Sequence, residues 1–291
     1  MDLIWNSNMI EPIEATESTT WPPPFLKWAG GKRWLVYRIQ KLIPTIESPA
    51  GTYFEPFLGS GAMFFSLRPA KAVLNDINAE LINAYRAIKR KPQALDRLLR
   101  HYHRNHSSEL YYRTRALVPR TPLRAAARFI YLNRTCWNGL YRVNLNGQFN
   151  VPVGTKSNVI LPTDNFSEIG RLLKRVSLHS TDFSKIVEQA GRGDLVFADP
   201  PYTVNHNLNG FLKYNEQLFS WEDQERLHAA ALGAIKRGAK VIVSNADHRS
   251  IRNLYSETQF VLHTVDRLSN ISGLNAGRKS ITELVITSRN V

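Results

Sequence analysis

One cysteine, Cys136, stands among 291 residues, so no disulfide can form within the chain and a thiolate zinc site of the ribbon or finger type is excluded. That usage suits a reducing, cytoplasmic compartment. No apolar run approaches the roughly 18 residues of a membrane span. No basic residue precedes Lys27, whereas Asp2, Glu11, Glu14 and Glu17 do, a charge order unlike that of a secretory or mitochondrial leader. Residues 1–24, ending in Pro22-Pro23-Pro24, read as a loose leader. The GxGxxG spacing that seats a pyrophosphate on a helix end is also missing. Disorder is excluded from the other side, because 43% hydrophobic residues suffice to bury a core. The length suits about two domains, or one that carries a large insertion.

Acidic charge is scarce as well. Lys and Arg number 38 against 24 Asp and Glu, a formal net charge of +14. The excess is uneven: residues 91–164 hold 12 basic and 3 acidic side chains, while 1–90 and 165–291 are close to balance. Ten of those 12 are arginines, interleaved with Tyr102, Tyr111, Tyr112, Phe129, Tyr131, Trp137 and Tyr141. A solvated basic face is the plain reading. Clustering, arginine's planar fork and the aromatic rings point instead to a polyanion, and to nucleic acid in particular.

The pattern along the chain is α/β. Tyr53 to Phe57 predicts a buried strand, Leu58-Gly59-Ser60-Gly61 a turn, and Ala62 to Leu67 the start of a helix. Ala72 to Leu74 predicts a second strand ending at Asn75-Asp76, followed by a helix from about Asn78 to Lys89. The basic middle predicts helices to about Asn133, then an Asn/Gly-rich stretch from Trp137 to Gly154 in which Asn146-Gly147 signals a hairpin. Leu195 to Ala198 predicts a strand that stops at Asp199-Pro200-Pro201-Tyr202. Ser220 is expected to cap a helix reaching about Lys236. Val241 to Val243, Phe260 to Val265 and Ile281 to Thr287 complete the strands, the last after a basic Gly/Asn-rich loop from Ser269 to Lys279. The sum is one open α/β domain interrupted by a basic insertion, with ligands expected outside the carboxyl ends of the strands.

Three motifs fall at those ends. Gly59 and Gly61 let backbone approach a ligand, and Asp76 at the next strand tip offers a carboxylate to both hydroxyls of a ribose. Without GxGxxG, a nucleoside without phosphates fits better than a dinucleotide. Asp199-Pro200-Pro201-Tyr202 sets a carboxylate, free carbonyls and a π-face on rigid backbone, a set suited to gripping a flipped-out base. Phe25-Leu26-Lys27-Trp28-Ala29-Gly30-Gly31-Lys32 gathers two lysines and an indole around a Gly-Gly turn. His101, His103 and His106 recur too closely, and with too few acids nearby, to make a metal site.

Together these motifs resemble the DNA adenine methyltransferases of the Dam type, the D12 class. FLKWAGGK, FEPFLGSG, LNDIN, the YLNR to FNVP segment and DPPY come in that family's order, and the match runs from Phe25 to Ser288. The resemblance implies a Rossmann-like, S-adenosylmethionine-dependent methyltransferase sheet (25–90 and 165–291). Its inserted, mostly helical target-recognition domain (91–164) would carry a β-hairpin. It implies that Trp28, Lys32, Gly59, Gly61, Asp76 and Asp199 hold S-adenosylmethionine, and that Asp199, Pro200 and Tyr202 are catalytic. It implies that Lys27, Trp137, Asn138, Leu140, Arg142 and Pro152 contact double-stranded DNA, with Arg142 on a guanine of GATC, the groove contact expected of arginine. Trp137 stands where the family places a tyrosine wedge, and Asn138 reads equally as a turn residue. No metal and no membrane contact are implied, and a monomer is expected. The rival readings are a related methyltransferase acting on another site or on RNA, a non-catalytic DNA-binding protein, and an NAD-linked oxidoreductase.

Overall fold

The computed structural model describes residues 22–28, 31–42, 50–144, 146–203, 219–268 and 280–291. The expected loop from Ser269 to Lys279, most of the leader, and Ala29-Gly30 lie outside them. Strands β1 (Tyr53–Glu55), β2 (Ala72–Asn75), β3 (Val176–His179), β4 (Leu195–Ala198), β5 (Lys240–Ala246), β6 (Phe260–Leu268) and β7 (Ser280–Ser288) form one sheet. Their order is β3-β2-β1-β4-β5-β7-β6. All pairings are parallel except the two made by β7, which runs antiparallel between β5 and β6. The order reverses between β1 and β4, so the crevice beyond their carboxyl ends is the place where such sheets take a ligand.

β1 and β4 are buried along their whole length, which is why they read as continuous apolar runs rather than alternating ones. Successive side chains still serve opposite faces. Tyr53, Leu195, Phe197 and Ile242 enter one core, while Phe54, Val196, Ala198, Val241 and Val243 enter the other.

The first core lies under α1 (Arg33–Leu42), α2 (Ala62–Leu67) and α3 (Ala79–Arg90), and it continues into the basic segment. That segment folds as α4 (Pro92–Arg104), α5 (Ser108–Ala116) and α6 (Pro122–Thr135), and the chain returns through α7 (Phe166–Leu172) to β3. Leu95, Leu99, Tyr111, Ile130 and Tyr131 join the same apolar cluster as Tyr53 and Leu74, with α6 packed along α3. Ser107 and Thr121 cap the second and third of these helices, and prolines sit in the first turns of α4 and α6. The second core lies under α8 (Ser184–Val187), α9 (Trp221–Lys236) and α10 (Arg249–Leu254). Ser220 caps α9 in a capping box with Asp223.

Four features differ from the sequence expectation. β1 stops at Glu55 because Pro56 has no N–H for the ladder and the chain turns at once, Leu58 N donating to the Asn75 carbonyl. β3 gave no readable signal: four residues at the sheet edge, with only Val176 buried, carry too little pattern. The hairpin exists as two isolated bridges, Val143 to Phe149 and Cys136 to Val153, rather than a continuous ladder. The Asn144 side chain takes over part of the pairing, accepting from the N–H groups of Asn146 and Gln148.

The fourth difference concerns charge. Two arginines of the basic segment are not surface groups. Arg134 is 2% exposed, donates to the carbonyls of Phe25 and Val159, and forks onto Asp164 at 2.6 and 2.7 Å. Arg128 donates to the last carbonyls of α5, at Thr114 and Arg115. Both hold the segment together.

Candidate active site

At the end of β1 the chain enters the glycine turn, where Gly59 and Gly61 have φ of 48° and 69°. Side chains are disfavoured in that left-handed region. Space is short there as well, since a Cβ on Gly59 would lie 2.9 Å from the Trp28 ring. The indole therefore rests directly on the turn. Asp76, one residue past β2, accepts from Gly59 N at 3.0 Å through one oxygen and from Asn78 N at 2.9 Å through the other. Burial raises its pKa, and these two N–H groups oppose the rise. A carboxylate oxygen has two lone pairs, so each keeps one for a ligand hydroxyl.

Asp199 follows β4. Its Oδ1 accepts from Ser244 Oγ at 2.5 Å and lies 3.5 Å from Lys32 Nζ. Among the described residues Oδ2 and the Pro200 carbonyl accept no hydrogen bond. Burial raises the Asp199 pKa, against the pull of Lys32 and Ser244. The Tyr202 hydroxyl accepts from Lys32 Nζ at 2.6 Å and donates to Glu283 Oε2 at 2.8 Å. Lys32 also lies 4.2 Å from the Tyr202 ring centre, covering part of the aromatic surface expected to stack on a base. Glu55, buried in β1, accepts from Tyr53 Oη at 2.9 Å, and burial drives its pKa well above the carboxylate range, with Asp199 adding to the rise.

Glu55, Ser244 and Glu283 were not singled out by the sequence reading. The signal was present in two of them: an acid inside an apolar strand, as in YFEPF and ITELVIT, must be paired or neutral once buried. Nothing in the sequence marks Ser244, which reaches Asp199 only because β5 lies beside β4.

The six residues expected at DNA fall on one neighbouring region. The Asn133 side chain clasps the Lys27 backbone from both sides, accepting from its N–H at 3.0 Å and donating to its carbonyl at 2.7 Å. Gly139, left-handed at φ 67°, lies against the Lys27 stem. Trp137 is 51% exposed, and its backbone N–H donates to the Pro152 carbonyl. Asn138 is left-handed at φ 53°, which accounts for an asparagine in this turn while its side chain faces outward. Leu140 packs on the first core, and exposed Arg142 is steadied by Asn150 Oδ1 at 2.9 Å. Lys27, Asn138 and Lys156 line a cleft of about 210 Å³. Tyr141 bridges the two regions: its ring stacks on Trp28 at 5.6 Å, and its hydroxyl donates to Glu80 in the first turn of α3. The three histidines diverge, His106 bonding Tyr131 Oη while His101 and His103 are exposed on α4.

A mostly parallel sheet, a glycine turn facing an acid, and an Asp-Pro-Pro-Tyr strand end define an α/β protein whose candidate site lies at the carboxyl ends of β1, β2 and β4. Residues 28–271 match the family model described as D12 class N6 adenine-specific DNA methyltransferase, and the chain belongs to that family. It is 38% identical to the Type II methyltransferase M1.LlaDCHI of Lactococcus lactis subsp. cremoris, over 91% of this chain and 95% of that one. It is 34% identical to the DNA adenine methylase of Serratia marcescens, over 91% and 98%, and 31% identical to that of Escherichia coli strain K12, over 90% and 93%.

Proposed function

We propose that the protein methylates the N6 amino group of an adenine flipped out of duplex DNA, with S-adenosylmethionine as donor and GATC as the site. The observation that carries this reading is that Asp199 Oδ2 and the Pro200 carbonyl, on adjacent residues at the end of β4, accept no hydrogen bond among the described residues. An exocyclic amino group has two N–H donors and a lone pair delocalised into its ring. Two acceptors at one strand end take both protons, favour a pyramidal nitrogen and free the lone pair for attack. Asp199, its pKa raised by burial, is then the nearest base for the proton that the nitrogen sheds.

The residues beside the pair fit the donor. Asp76 keeps lone pairs for ribose hydroxyls, Gly59 and Gly61 admit close backbone approach, and the Trp28 indole offers an apolar wall. S-adenosylmethionine would supply a methyl group on a positively charged sulfur, which leaves as a neutral thioether. Lys32 serves this site through Asp199 and Tyr202. On the DNA side, Arg142 and Lys27 would read guanines, Leu140 and Pro152 would make apolar contacts, and half-exposed Trp137, with Asn138, would fill the space that the base leaves. Residues 25–90 and 165–291 would form the catalytic domain and 91–164 the recognition domain, acting as a cytoplasmic monomer.

The test is methyl transfer to unmethylated duplexes, with the product nucleoside identified by mass spectrometry and its sites mapped by sequencing. N6-methyladenine confined to GATC is expected. The same product elsewhere would overturn the reading of Arg142, and no DNA product with cofactor binding intact would overturn the choice of acceptor.

A further inference from the structure

Lys32 is 8% exposed. An ammonium has three donors and no acceptor capacity. Those donors meet Tyr202 Oη at 2.6 Å, Glu283 Oε2 at 2.8 Å and, more loosely, Asp199 Oδ1 at 3.5 Å. Glu283 is 1% exposed and holds both Lys32 and the Tyr202 hydroxyl through one oxygen. A buried acid joined to two residues of the strand-end site is more than a sheet filler.

Its position follows from topology. The parallel strands bring their carboxyl ends to the site, whereas antiparallel β7 brings its first residues there. Glu283 pairs with Ala246 at the end of β5, and Ser244, which holds Asp199, pairs with Val285 two residues on.

We infer, on the functional reading above, that Glu283 is a positioning residue for the transfer. It draws the Lys32 ammonium into a short pair with itself and leaves Asp199 with the long one. Without it, Asp199 would be the remaining carboxylate beside Lys32, and the ammonium would close on the oxygen-rich end that must accept from the substrate amino group. An acceptor already engaged by a full positive charge accepts a further N–H less strongly. Glu283 also fixes the Tyr202 hydroxyl, and with it the ring orientation beside the base. It leaves the cluster with two carboxylates to one ammonium, a balance suited to a nitrogen that becomes positive as the methyl group arrives.

Glu283→Gln keeps the shape and removes the charge. Single-turnover methyl transfer is expected to fall about 100-fold, the scale of one misplaced polar group at a reacting centre. Binding of S-adenosylhomocysteine and of duplex DNA should stay within about threefold, and Glu283→Asp should recover part of the rate. The discriminating readout is the Asp199 carboxyl titration, followed by carbon-13 NMR in both proteins. Losing the neighbouring negative charge, which raises it in the wild type, should move it down. An unchanged rate with an unmoved titration would overturn the inference. So would a loss of rate, ligand affinity and melting temperature together with an unmoved titration, which would make Glu283 structural. A wild-type chain that methylates no DNA would defeat the functional reading, and the titration would still decide whether Glu283 governs Asp199.

Discussion

The strand-end site and the neighbouring basic region are built in opposite ways. At the end of β4 the described charged side chains are buried or half-buried and tied to others: Asp199 to Ser244 and Lys32, Lys32 to Glu283, Tyr202 to Lys32 and Glu283. In the segment from Trp137 to Asn150 backbone groups are held by Asn133, Asn144 and the Pro152 carbonyl, while the side chains of Trp137, Asn138 and Arg142 are exposed. Catalysis gains most from polar groups oriented before the substrate arrives, because no reorganisation is then needed during the reaction. Reading a duplex requires exposed donors that can exchange water for base edges. The same contrast runs through the arginines, with buried Arg134 holding the fold and exposed Arg142 bonded to the Asn150 side chain.

The strongest way to break this comparison is at Asp199. Asp199→Ala should lower methyl transfer about a thousandfold or more, the upper range for one preorganised polar group. Duplex affinity, measured by fluorescence anisotropy, should hardly change; if both are lost, the two regions are not separable. Arg134→Met leaves Asp164 buried without its partner and should cost about 3–5 kcal/mol in denaturant unfolding. Arg142→Ala should leave stability within about 0.5 kcal/mol. It should cost about 1–3 kcal/mol of discrimination at one guanine, seen in competition between matched and mismatched duplexes. Uniform weakening across sequences would make Arg142 a phosphate contact instead.

Smaller effects sharpen the boundary. Tyr141→Leu removes the stack on Trp28, an interaction of about 0.5–1.5 kcal/mol, and should weaken S-adenosylhomocysteine and duplex together because the residue touches both regions. An effect on one ligand alone would set Tyr141 within a single region. Glu55 supplies a pH test. Its folded pKa is raised by burial, so the stabilising proton is fully in place below the ordinary value of 4.5 and stability falls as pH rises toward the folded value. Glu55→Gln cannot lose that proton, and its melting temperature should decline less than that of wild type between mildly acidic and neutral pH. Parallel curves for the two proteins would mean that Glu55 is charged in the fold.

Legibility in the sequence followed locality. The glycine turn, the α2 helix at Ala62 to Leu67, the Ser220 cap and the Asp199-Pro200-Pro201-Tyr202 strand end depend on neighbours a few residues apart, and each reads directly. β3 escaped because an edge strand of four half-exposed residues has almost no pattern. Arg128 and Arg134 counted toward the basic surface because composition cannot tell a guanidinium facing solvent from one feeding carbonyls. Glu283 escaped because its partners are 81 and 251 residues away.

By itself the sequence determined the α/β class, the basic segment and the motifs at the strand ends, since periodicity, turn chemistry and local charge are properties of short stretches. Only the tertiary structure decided which charges face each other. The antiparallel course of β7 carries Glu283 to the carboxyl ends of the other strands, and the basic segment shares a core with β1 and β2. Burial raises the pKa values of Glu55 and Asp199 and brings three acceptors around Lys32. Desolvation depends on what packs around a group, and that is fixed only when distant segments meet.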